Sequence, residues 1–274
     1  MQASSKSGTI LKGDQNKMCY DDNARPPMPP GGNGKATSED VVLTAEDGNR
    51  FAAYAARPEG ATGTGAQVLI FPDARGLHGF YKDLALRFAD VGIGAVAMDY
   101  FGRTAGLTAR DDSFDFWPHV QQLQAQTLQA DIHAALGYMR QGEGAQRATF
   151  TVGFCLGGSI SFLTGTESLD LAGVVGFYAG LTRQFPGFKG TVIDEAKGMK
   201  SPVLGLFGGA DQNISPENVQ NFTQALLDAK VQNEIITYPG APHSFFDRKA
   251  TEFAQACADA WNRVLGFIAA NSAK

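Results

Sequence analysis

Residues 148–158 read Ala148-Thr149-Phe150-Thr151-Val152-Gly153-Phe154-Cys155-Leu156-Gly157-Gly158, and this stretch decides the fold. Ala148 to Val152 is an apolar run rich in aromatic and β-branched residues, which suits a strand buried on both faces. Leu156 to Gly165 continues as a short apolar helix. Between the two stands Gly153-x-Cys155-x-Gly157, the G-x-S-x-G elbow with cysteine in the place of serine. A turn this sharp has no room for side chains at the flanking positions, hence the glycines. It sets Cys155 at a helix N-terminus, where the helix dipole and unpaired N–H groups favour a thiolate and a developing oxyanion. A buried structural cysteine beside a glycine-rich strand end is the plainer alternative.

The same alternation extends outward in both directions. Val41 to Thr44 and Arg50 to Ala56 are β-prone runs around Asp47-Gly48, a dipeptide that favours hairpin turns. Strands are then expected at Gln67–Phe71, Gly94–Met98, Gly173–Tyr178, Val203–Phe207 and Glu234–Tyr238. Helices are expected at Phe80–Val91, His119–Arg140, Pro216–Ala229 (with Ser215 as cap) and Ala250–Ala270. Apolar strands alternating with helices imply an α/β fold, a mostly parallel sheet covered on both faces, with the leading hairpin antiparallel at one edge. In such sheets sites form beyond the carboxyl ends of the strands. Asp211, in Gly208-Gly209-Ala210-Asp211, follows one strand directly. His243, in Pro242-His243-Ser244-Phe245, follows the next. Either could be an ordinary loop residue, but three candidates at three strand ends, in the order nucleophile, acid, histidine, make a Cys-His-Asp triad. The backbone N–H groups of Leu156 and Ala74 are the expected oxyanion donors.

Composition narrows the function classes. The chain has 274 residues, 43% hydrophobic and 19% charged, with a net charge of −5. An acidic surface offers no general attraction to nucleic acid. No apolar run reaches the length of a membrane span. Cys19, Cys155 and Cys257 are scattered, and the four histidines lack paired ligand spacing, so neither a structural metal site nor a disulfide framework is expected. A reduced, cytoplasmic location fits this cysteine usage. Residues 1–38 are polar and rich in proline and glycine, and are expected to form a flexible or extended arm, with Met18, Cys19, Tyr20 and Met28 as its possible anchors. The catalytic domain is expected over residues 39–274.

The motifs at Gly153 to Gly158, Gly208 to Asp211 and Pro242 to Phe245 resemble those of the dienelactone hydrolase family, over Glu39 to Ala270. The resemblance implies an α/β-hydrolase fold, a cysteine nucleophile, no cofactor, and a small ester or lactone as substrate. It also implies a carboxylate touching the resting thiol, a place that Asp73 occupies with a shorter side chain than the family's glutamate. A turn or cap role for Asp73 remains open. The family's first substrate-binding arginine corresponds to Arg103, with a surface salt bridge as the alternative. Its second lies four residues past the histidine. Asp247 stands there, and Arg248 comes one later, so this chain departs from the pattern. A broader carboxylesterase or thioesterase on the same triad, or a non-catalytic binding protein of this fold, are the competing functions.

Overall fold

Strand β1 (Ala36–Thr44) pairs antiparallel with β2 (Arg50–Pro58), Val41 facing Ala53 across the expected hairpin. Next in the chain come β3 (Ala66–Phe71), α1 (Gly79–Asp90), β4 (Gly94–Met98), α2 (Gly102–Ala105), α3 (Trp117–Val120) and α4 (Ala125–Met139). They are followed by β5 (Ala148–Phe154), α5 (Leu156–Thr164), β6 (Gly173–Phe177), α6 (Val192–Glu195), β7 (Val203–Gly208), α7 (Pro216–Asp228), β8 (Asn233–Tyr238) and α8 (Ala254–Asn271). This computed structural model describes residues 23–32, 35–59 and 65–272. The eight strands form one sheet in the order β1-β2-β4-β3-β5-β6-β7-β8. Pairing is antiparallel at β1–β2 and β2–β4 and parallel elsewhere.

Strand β5 shows why its composition is apolar on both sides. Phe150 and Phe154 point to one face, where they meet Phe267 of α8 and Tyr81 of α1. Thr151 points to the other, where its hydroxyl meets Ser161 of α5 at 2.8 Å. Helices therefore cover both faces. The chain reverses its direction of winding between β3 and β5, the crevice where sites form in open α/β sheets.

Three expectations are revised. The long helix His119–Arg140 is two helices. Pro118 starts α3 early, and the chain then leaves helical geometry at Gln124 (φ −122°, ψ 137°). Leu123 is buried in this break, and the Ala125 N–H donates to Pro186 O at 2.9 Å. The last helix starts at Ala254 instead of Ala250, because Lys249 to Phe253 are wound in turns that belong to the preceding loop. Strand β1 begins at Ala36, inside the stretch expected as an arm. Before it, Pro26 and Pro29 are buried, and Trp261 Nε1 donates to Pro27 O at 3.0 Å. Met28 is 61% exposed and anchors nothing, while Met18, Cys19 and Tyr20 lie outside the described residues.

One polar contact inside this frame fixes the loops above β3 and β4. Asp99, fully buried, accepts from Arg110 Nη2 at 2.9 Å and from the N–H groups of Leu77 (3.0 Å) and Phe101 (2.9 Å). Gly76 lies so close that a Cβ there would sit 2.3 Å from Asp99 Oδ1, and its φ of 83° is one that glycine accepts. Removing one member of a buried pair strands the other charge, at a cost of about 3–5 kcal/mol. Arg110→Ala is expected to lose stability of about that size, read as a shift of the urea midpoint at unchanged slope.

Candidate active site

Cys155 sits at the N-terminal end of α5 with φ 54° and ψ −111°, a backbone that a side-chain-bearing residue adopts only under strain. Two glycines allow it. A Cβ on Gly153 would lie 1.9 Å from Gly157 O, and one on Gly157 would lie 2.1 Å from Phe71 O. The elbow thus packs backbone to backbone against the end of β3, which brings Leu156 and the Asp73-Ala74 segment together. Leu156 is the first residue of α5, so its N–H has no partner within the helix. The Cys155 N–H itself donates to Phe177 O at 3.0 Å, tying the elbow to β6.

Asp211 and His243 are joined in the same way. The Ala210 N–H donates to Ala241 O at 2.9 Å, and a Cβ on Gly208 would lie 2.4 Å from that oxygen. The two loops therefore lie against each other, and His243 Nδ1 stands 2.7 Å from Asp211 Oδ2. Asp211 is buried, and its other oxygen accepts from the Asn213 N–H at 2.8 Å. His243 keeps 12% of its side chain exposed.

A residue the sequence reading passed over links these groups. Tyr178 follows β6 with φ 37°, and its ring lies 4.9 Å from that of His243. Burial pushes its phenol far above the usual range, and Asp247, Asp73 and Cys155 around it push the same way. Tyr178 was legible in principle: it stands at a strand's carboxyl end, between the two strands that carry Cys155 and Asp211. Asp247, noted only as a departure from the family pattern, is buried here and accepts from Tyr178 Oη at 3.0 Å.

The remaining expected residues divide. Asp73 is buried at this edge. Its Oδ1 accepts from the Arg75 N–H at 2.9 Å, a turn contact, and its Oδ2 lies 3.5 Å from His78 Nε2. The turn role and a place beside the site coexist. Arg248 lies next to Asp247, with Nε 3.9 Å from Asp247 Oδ1. Arg103 belongs elsewhere. Its guanidinium forms a fork on Asp47 (2.6 and 3.1 Å) and bonds Asp131 (2.8 Å) and Thr127 O (3.2 Å). It joins the β1–β2 turn to α4, the arrangement of the salt-bridge alternative. Among the described residues, no group of three or more His, Cys, Asp or Glu is placed to hold a metal ion.

The family model described as "Dienelactone hydrolase family" matches residues 51–272. A relative from Escherichia coli O157:H7 named "Putative carboxymethylenebutenolidase" is 32% identical over 245 residues, 84% of this chain and 88% of its own. A Yersinia pestis protein of the same name is 30% identical over 81% of this chain and 84% of its own. The crystal structure of a "Putative Dienelactone Hydrolase" from Klebsiella pneumoniae superposes with a TM-score of 0.74 at 28% identity, covering 85% of this chain and 98% of that one. A dienelactone hydrolase-like promiscuous phosphotriesterase from metagenomic libraries reaches 0.72 at 23% identity, covering 87% and 100%, a likeness of fold alone.

Asp131 offers a test of the Arg103 placement. Burial raises its carboxyl pKa, against the pull of Asn49 and Arg103. Arg103→Ala strands this charge, so stability at pH 7 should fall by about 3 kcal/mol or more. The loss should shrink as pH drops through the carboxylate range, because protonation then removes the stranded charge. Chemical denaturation of both proteins at pH 7 and pH 4 measures it.

Proposed function

The chain belongs to the dienelactone hydrolase family, and we propose that it hydrolyses small esters or lactones with Cys155 as nucleophile, His243 as base and Asp211 as the group that orients the histidine. The observation that carries this reading is the strained elbow at Cys155 on one strand end together with the 2.7 Å His243–Asp211 contact on the strand ends beyond it. Asp211 accepts a hydrogen bond from Nδ1–H of His243 and so fixes the imidazole tautomer, leaving Nε2 to accept. The Cys155 thiol passes its proton to His243 and its sulfur bonds the ester carbonyl carbon. Asp73 is the carboxylate proposed beside the resting thiol. The tetrahedral oxyanion is held by the N–H groups of Leu156 and Ala74, donors of a kind that contribute about 3 kcal/mol each. The alcohol leaves with the proton from His243. Water, deprotonated by His243, then opens the thioester and returns the thiol.

A broad ester hydrolase is favoured over one restricted to carboxylate-bearing lactones, since the Arg103 donors are engaged by Asp47 and Asp131. Arg248 is left as the candidate substrate cation on the histidine loop. A pair of p-nitrophenyl esters, one with a free carboxylate and one without, tests this. Arg103→Ala is expected to change kcat/KM for both by the same factor.

Cys257 is buried, and burial pushes its thiol up to about 12, helped by Asp247. In a Cys19→Ser background, limiting iodoacetamide is therefore expected to label Cys155 alone and to abolish turnover of p-nitrophenyl acetate. His243→Ala should lower kcat by several orders of magnitude, and Asp211→Asn by less, because the ring keeps much of its setting. Full turnover by protein labelled at Cys155 would end the assignment.

A further inference from the structure

Behind the candidate nucleophile lies a buried acidic group that the proposed mechanism does not use. Asp247 is 7% exposed, Asp73 2% and Tyr178 not at all. Asp247 accepts from Tyr178 Oη at 3.0 Å and from the Arg248 N–H, and the Tyr178 ring stands 4.9 Å from His243 at 57°. We propose that Asp247 is a positioning residue for His243, acting through Tyr178. This role rests on the reading of His243 as base.

Several elements meet at Asp247. Tyr178 reaches it from the end of β6, Asp73 from the loop after β3, Tyr81 from α1 and Cys257 from α8, with Arg248 as its chain neighbour. Arg248 Nε lies 3.9 Å away, and His78 Nε2 lies 3.5 Å from Asp73 Oδ2. Burial pushes the Asp247 carboxyl up to about 7, Asp73 adds to the rise, and the bonds from the Arg248 N–H and Tyr178 oppose it.

The positioning role follows from the backbone. Tyr178 holds φ 37° and Ser244, next to His243, holds φ 59°. Strained residues persist only where their surroundings over-determine them. The Asp247–Tyr178 bond ties one strained position to the loop that carries the other. Loss of this bond frees the phenol to shift and removes the wall against which the imidazole rests.

A raised folded-state carboxyl pKa destabilises the protein as pH climbs from the usual carboxyl value through 7. Asp247→Asn should thus melt above the parent at pH 8 and close to it only at about pH 4, near the usual carboxyl value, which verifies folding. For positioning, kcat on p-nitrophenyl acetate should fall roughly ten- to a hundredfold in Asp247→Asn and in Tyr178→Phe with KM little changed, and Asp247→Glu should recover part of it. Parental kcat and pH profile in both variants would overturn that role. Turnover surviving in Cys155→Ala would remove the mechanism and with it the positioning role.

Discussion

Cys155 holds a backbone conformation that its own side chain disfavours, and the surrounding structure is arranged to keep it there. Strain of this kind costs about 1–3 kcal/mol. It persists because the end of β3 and the first turn of α5 touch backbone to backbone, with Gly157 against Phe71 O, and because the Cys155 N–H is bonded to β6. Three neighbouring strands thus meet at one residue. Any side chain at Gly153 or Gly157 would push them apart and release the turn. The position of the thiol is therefore a property of the parallel sheet rather than of a loop.

The same sheet edge explains the electrostatics. β3, β5, β6, β7 and β8 end side by side, and they carry Asp73, Cys155, Tyr178, Asp211 and His243 within a residue or so to five of where each strand stops. Burial at that edge drives the Tyr178, Tyr81 and Tyr100 phenols far up, keeping them neutral. Tyr100 spends its hydroxyl on Pro72 O, at the foot of the Asp73 turn. Neutral phenols packed between acids hold the edge together without adding charge to it.

The sequence made some of this legible and hid the rest for identifiable reasons. Strand alternation, the Gly153–Gly157 spacing and the loops at Asp211 and His243 are local patterns, and the structure contains the corresponding elements within a few residues of the expected bounds. Arginine roles are not local. Arg103 and Arg110 both follow β4, and each finds its carboxylate through folding: Arg110 on Asp99, Arg103 on Asp47 and Asp131, 56 and 28 positions away. No spacing rule distinguishes such pairs from a substrate-binding arginine. The break at Gln121 to Gln124 was equally hidden, because Val120, Leu123 and Leu128 keep an apolar rhythm through it. At the break the Ala125 N–H turns to the Pro186 carbonyl, a contact from a distant loop.

The late start of α8 follows from the packing of the loop before it. Residues 244–253 are folded on themselves: the Asp247 N–H donates to Ser244 O, the Ala250 N–H to Asp247 O and the Phe253 N–H to Lys249 O. Periodicity alone would continue the helix back through Ala250. A straight helix from that point would take the chain away from the sheet edge and withdraw Asp247 from Tyr178. Winding it in turns instead buries Phe245 and Phe246, sets the latter ring 4.6 Å from Phe177 and 5.7 Å from Trp261, and lets Cys257 cap the Phe245 carbonyl. That packing holds the loop's strained Ser244 in place. With Ser244 held, His243 is directed at Asp211 instead of at solvent.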